Sequence, residues 1–99
     1  MRERLEMILK NDQLSRMQFG EEEVTIDLHK MKSAECCWLV RTVIASIRNG
    51  FQLNLIHGYN HGTVLKEMLR GQKMSSRVTN LYSDPWNPGL THMNISKAA

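Results

Sequence analysis

Two short runs that alternate apolar and polar residues constrain this chain most. Val24, Ile26 and Leu28 alternate with Thr25, Asp27 and His29, and Phe51, Leu53 and Leu55 alternate with Gln52 and Asn54. A period of two marks a strand with one buried face. Between the runs, residues 33–49 carry Cys36, Val40, Val43 and Ile47 on one helical face, with Leu39 and Ile44 beside them. Asn49-Gly50 supplies a left-handed stop for that helix. Strand, helix, strand in this order implies parallel pairing through a right-handed crossover.

The rest of the chain extends the same pattern. A second helix is predicted over residues 63–69 and a third strand over 78–82, followed by turn chemistry throughout Ser83-Asp84-Pro85-Trp86-Asn87-Pro88-Gly89. Residues 90–95 alternate again and make a fourth strand. Ahead of all this, residues 2–17 place Leu5, Ile8 and Leu9 on one stripe, predicting an amphipathic helix. The expected fold class is α/β: a helix, then βαβαββ, forming a two-layer sandwich with both crossover helices on one face of the sheet. Residues 1–19 read as the N-terminal helix, 20–96 as the main domain and 97–99 as a tail. The sheet's other face would carry Thr25, Asp27, His29, Gln52, Asn54, His92 and Asn94, a polar set throughout.

Composition narrows the class. Ninety-nine residues with 41% apolar content suffice for one core and exclude two. No apolar run approaches the ~20 residues that cross a bilayer, so no membrane partner is expected. The N-terminus carries charges of both signs and no apolar h-region, unlike a secretory signal. Cys36 and Cys37 are adjacent and poorly placed to bridge, so they read as free thiols in a reducing compartment, the cytoplasm. Their spacing to the four histidines matches no zinc pattern. Residues 1–23 hold four basic and six acidic side chains, and residues 24–99 hold nine and four, which together give the net +3. An acidic leader on a basic body favours a polyanionic partner, though only mildly.

Two segments carry the candidate chemistry. Asp27-Leu28-His29 puts a carboxylate and an imidazole on one side of a strand, a spacing that suits an Asp orienting a His or a joint hold on metal or water. His57-Gly58-Tyr59-Asn60-His61-Gly62-Thr63 joins a strand to a helix, with glycines that free the backbone to approach a ligand. The helix that follows points its N-terminus at that ligand, which favours phosphate. Both segments fall at the carboxyl ends of parallel strands, where open α/β sheets bind ligands. Strands lying ~5 Å apart would let His29 and His57 converge on one substrate, with Lys30, Lys32 and Lys66 at the rim.

These segments, with Asn87-Pro88-Gly89-Leu90-Thr91, resemble the small MutS-related (Smr) domain family over roughly residues 24–95. The family pattern is LDLHG, then HGxGxG, then a glycine-threonine strand. Here Ile26-Asp27-Leu28-His29 is followed by Lys30 where glycine is usual, and His57, Gly58 and Gly62 are kept with Asn60 at the middle glycine. The resemblance implies a mixed four-stranded sheet in the order 1-2-4-3 with the last strand antiparallel, as in the C-terminal domain of translation initiation factor three. It also implies binding of DNA or RNA and, in several members, endonuclease activity. Carried onto this chain, it implicates Asp27, His29 and His57 in catalysis. The cradle for nucleic acid would be Gly58, Tyr59, Asn60, His61, Gly62 and Thr63, with Lys30 and Lys66 beside it. A divalent cation, magnesium or manganese, is a candidate cofactor with no assigned protein ligands. Three functions fit: a nucleic-acid endonuclease, a non-catalytic nucleic-acid-binding module on the same cradle, or a protein-interaction domain using the polar sheet face.

Overall fold

Val24, Ile26 and Leu28 are buried on one side of their strand, and Leu53 and Leu55 are buried on the same side of the next. That shared parity builds the sheet. The computed structural model describes residues 2–58, 62–71 and 74–99. Its elements are α1 (Arg2–Glu6), α2 (Asn11–Leu14), β1 (Met17–Phe19), β2 (Glu23–Asp27), α3 (Ser33–Ser46), β3 (Phe51–Ile56), α4 (Gly62–Gly71), β4 (Val78–Ser83) and β5 (Leu90–Ile95). The strands form one mixed sheet in the order β1-β2-β3-β5-β4. β2 and β3 run parallel, while β5 is antiparallel to both β3 and β4. From β2 onward this is the expected βαβαββ arrangement and the expected strand order.

The core lies between sheet and helices. Cys36, Leu39, Val40, Val43 and Ile44 of α3 meet the inward faces of β2, β3 and β5. Burial pushes the Cys36 thiol up to about 12, with the neighbouring Cys37 and Glu35 adding to the effect, so it packs as an apolar group. α3 ends at Ser46, because Ile47 turns extended and is itself buried. Gly50 does not take the left-handed cap expected of it, and Gly58 is the glycine with positive φ among the described residues. Instead the Arg77 guanidinium donates to the carbonyls of Ile44, Arg48 and Asn49, placing a cation at the helix C-terminus. Trp38 stays about half exposed on α3.

The N-terminal region departs from expectation. The single helix predicted over 2–17 is two short helices and a strand. β1 pairs antiparallel with β2, matching Met17 to Ile26, Gln18 to Thr25 and Phe19 to Val24, so the sheet has five strands rather than four. The apolar stripe is split for a physical reason: Leu5, Leu9, Leu14 and Met17 are buried in the common core, whereas Ile8 is 48% exposed. Four inward anchors at uneven spacing cannot lie on one straight helix. The Gln13 side chain accepts from the Lys10 N–H and starts α2 afresh after the break. Residues 2–19 thus contribute one strand and four core side chains to the same sheet and core.

Candidate nucleic-acid interface

The open sheet face is polar, as the alternation implies, and its polar groups are bonded to one another. One cross-strand row runs through all five strands: Gln18, Thr25, Asn54, His92 and Tyr82. Asn54, only 7% exposed, is central. Its Nδ2 donates to Thr25 Oγ1 at 3.2 Å, and its Oδ1 accepts from Gln52 Nε2 at 2.8 Å and meets His92 Nδ1 at 2.6 Å. The other nitrogen of His92, Nε2, lies 2.8 Å from Asp84 Oδ1.

Asp27 and His29 stand at the carboxyl end of this face. His29 Nδ1 bonds Asp27 Oδ1, and the same oxygen accepts the His29 backbone N–H at 3.1 Å. A carboxylate accepting at Nδ1 fixes the ring's orientation and puts the proton on Nδ1, which leaves Nε2 as the basic nitrogen. Both side chains are partly exposed. They line a cavity of about 380 Å³ with Ser15, Arg16, Gln18, Thr25 and Ile56. Arg16 is the residue that sequence reasoning missed. Its Nη1 donates to the carbonyls of Asp27 at 3.0 Å and His29 at 3.1 Å, bringing a guanidinium to the edge of the pair. The signal was weak, because Arg16 precedes a strand of three residues, too short to show alternation.

The second and third segments meet the first through backbone. Gly58 has φ +81°, and a side chain built there would come within 3.7 Å of His29 Cβ. One built at Gly89 would come within 3.2 Å of Gly58 Cα, and the Gly89 carbonyl accepts from the N–H groups of His57 and Gly58. His29, Gly58 and Gly89 are therefore stacked, with no room for a side chain between the last two. Lys30 has φ +63°, so it keeps the backbone that glycine would adopt there, at a cost of about 1–2 kcal/mol.

His57 does not converge with His29. It continues the inward parity of Leu53 and Leu55, is 2% exposed, and has Nε2 2.8 Å from Thr91 Oγ1. The two histidines leave neighbouring strands on opposite faces. Lys30 and Lys32 are exposed at the same end as His29. Tyr59, Asn60 and His61 lie outside the described residues, and of Gly62, Thr63 and Lys66 only the helical backbone is described. Among the described residues no three His, Cys, Asp or Glu side chains are grouped to hold a metal ion. No helix among them is long and apolar enough to cross a membrane.

The loop between β4 and β5 is fixed by Asp84. Its Oδ2 accepts the N–H groups of Trp86 at 3.0 Å and Asn87 at 2.8 Å. The hydrogen bond from His92, helped by those two amides, holds the Asp84 carboxyl below the ordinary carboxylate range. A depressed folded value means that this group stabilises the fold above the ordinary value of 3.8, and that its contribution is lost as pH falls through the lower folded value. Acid should therefore loosen the loop, and Asp84→Asn should remove that part of the acid sensitivity. Urea melts of both proteins, run from neutral pH down through this window, check it; parallel acid profiles would exclude Asp84.

No protein-family model and no curated protein matches the sequence. Among solved structures, the chain is similar to the crystal structure of the Smr domain of Thermus thermophilus MutS2. The TM-score is 0.60 at 23% identity, covering 72% of this chain and 95% of that one. The strand order, the parallel β2–β3 pair, the antiparallel β5 and this likeness agree, and the chain has the fold of an Smr domain.

Proposed function

We propose that this chain binds nucleic acid and hydrolyses a phosphodiester at Asp27 and His29. The observation that carries the reading is the Asp27–His29 pair, partly exposed over a cavity that Arg16 also lines. The motif resemblance and the Smr fold support the same class of substrate. In the reaction, His29 Nε2 takes a proton from an attacking water as the water oxygen bonds to phosphorus and the leaving oxygen departs. Asp27 stabilises the imidazolium that forms, which can return the proton to the leaving oxygen. The Arg16 guanidinium meets the charge gathering on the phosphoryl oxygens. A divalent cation, if used, would supply further charge there, with Asp27 as its available carboxylate. His57 acts from the other face as a positioning residue, tying the end of β3 to Thr91 of β5.

The test is incubation of purified protein with labelled single- and double-stranded DNA and RNA, with and without magnesium or manganese. An Asp27→Asn, His29→Ala double variant run alongside excludes contaminating nuclease. Cleavage by the wild type alone supports the reading. Binding without cleavage would reduce it to a binding module, and no binding would remove it. Affinity should fall with salt, and Arg16→Gln should flatten the slope of log K against log salt by about one unit. Anisotropy titrations at several salt concentrations measure this, and an unchanged slope would take Arg16 out of the interface.

A further inference from the structure

Trp86 is 91% exposed on the loop between β4 and β5. An indole left in water forgoes a large burial, and this one is not on a frayed segment. Asp84 Oδ2 holds the Trp86 and Asn87 amides, Asn87 Oδ1 accepts the Gly89 N–H at 2.9 Å, and the Leu90 N–H returns to the Asn87 carbonyl. Asp84 Oδ1 in turn meets His92 on the open sheet face. The ring is therefore displayed from a loop whose backbone is bonded at both ends.

Its position relative to the site is also fixed. Trp86 is three residues from Gly89, hence within about 11 Å of it along the chain. Gly89 packs on Gly58, and Gly58 packs beside His29. Tyr82, 38% exposed, stands on the open face with its ring centroid 5.1 Å from that of His92, carrying aromatic surface back from the loop onto the sheet. Cations on the β1–β2 side of this face and aromatic rings on the β4–β5 side are the two components of a groove for single strands: charge for the backbone and flat rings for the bases.

We propose that Trp86 is a stacking platform for an unpaired base of a strand whose phosphate lies at Asp27 and His29, so that the substrate class is single-stranded DNA or RNA. This rests on the nucleic-acid reading above and sharpens it. Bases inside a duplex have both faces covered by their neighbours, so an isolated exposed indole gains little from them, whereas an unpaired base offers a free face.

The test uses a Trp38→Phe background, in which Trp86 is the remaining indole. Oligothymidylate, oligouridylate and a blunt duplex of the same length are titrated, following both anisotropy of the labelled strand and indole fluorescence. The expected result is strong quenching of Trp86 by the single strands and little by the duplex. Trp86→Ala should weaken single-strand affinity about fivefold or more, and Trp86→Phe should retain most of it. Because the ring is exposed, Trp86→Ala should melt like its parent, which separates lost stacking from lost folding. Binding with unchanged fluorescence, equal quenching by duplex, or a Trp86→Ala protein that binds normally would each overturn the proposal while leaving the wider reading in place. Absence of binding to any probe would overturn both.

Discussion

Replacing Leu5 by alanine is expected to lower the melting temperature by about 10 °C or more. Leu5 lies in the short helix α1 and is fully buried in the same cluster as Val40, Ile26 and Leu53. Truncating a buried leucine costs about 2–5 kcal/mol, from lost transfer energy and the cavity left behind. A helix merely appended to a separate domain would give a far smaller effect. Thermal melts of Leu5→Ala and of Ile8→Ala, whose side chain is 48% exposed, make the comparison. Similar losses for the two, or a negligible loss for Leu5→Ala, would restore the N-terminal region to the status of an appendage.

His29→Ala is expected to lower phosphodiester cleavage by about 100-fold or more. That corresponds to about 2.7 kcal/mol of lost transition-state stabilisation. The side chain is partly exposed and, among the described residues, its ring is bonded through Nδ1 to Asp27, so its removal should leave the fold intact. Binding, which the proposed function assigns to cations such as Arg16 and Lys30, should change little. Single-turnover cleavage and anisotropy on the same preparations separate the two quantities. Coincident wild-type and variant rates would remove His29 from the chemistry.

Much of the fold was legible because alternation and burial agree where a strand is long enough. The run predicted at 90–95 is β5 to the residue, and the paired runs at 24–29 and 51–56 gave the parallel centre of the sheet. The strand order came from the resemblance, since neither period nor turn chemistry says which strand β5 lies against. β1 was not legible: three residues show no period, and what makes them a strand is the free edge of β2. The candidate site was half read. Thr25, Asp27 and His29 were assigned to the open face, where they are found. The same count along Phe51, Leu53 and Leu55 reaches His57 on the buried face, yet the shared strand ends suggested that the two histidines meet. Parity outweighs proximity at a strand end.

The position of β5 has a consequence for the order in which this chain acquires its working form. β5 is the last strand in sequence but lies between β3 and β4, and β4 has no other neighbour in the sheet. Asn54 and His92, which face each other across β3 and β5, are separated by 38 residues. Closing so long a loop is an entropic expense that local pairing does not share, which makes this step a late one. Until it occurs, Gly89 cannot close on Gly58, and the edge carrying Tyr82 and Trp86 has nothing to hold it. A chain emerging from the ribosome can thus assemble β1, β2, α3 and β3 first, with Asp27 and His29 already in place. It gains the surface beside them only when its final strand arrives.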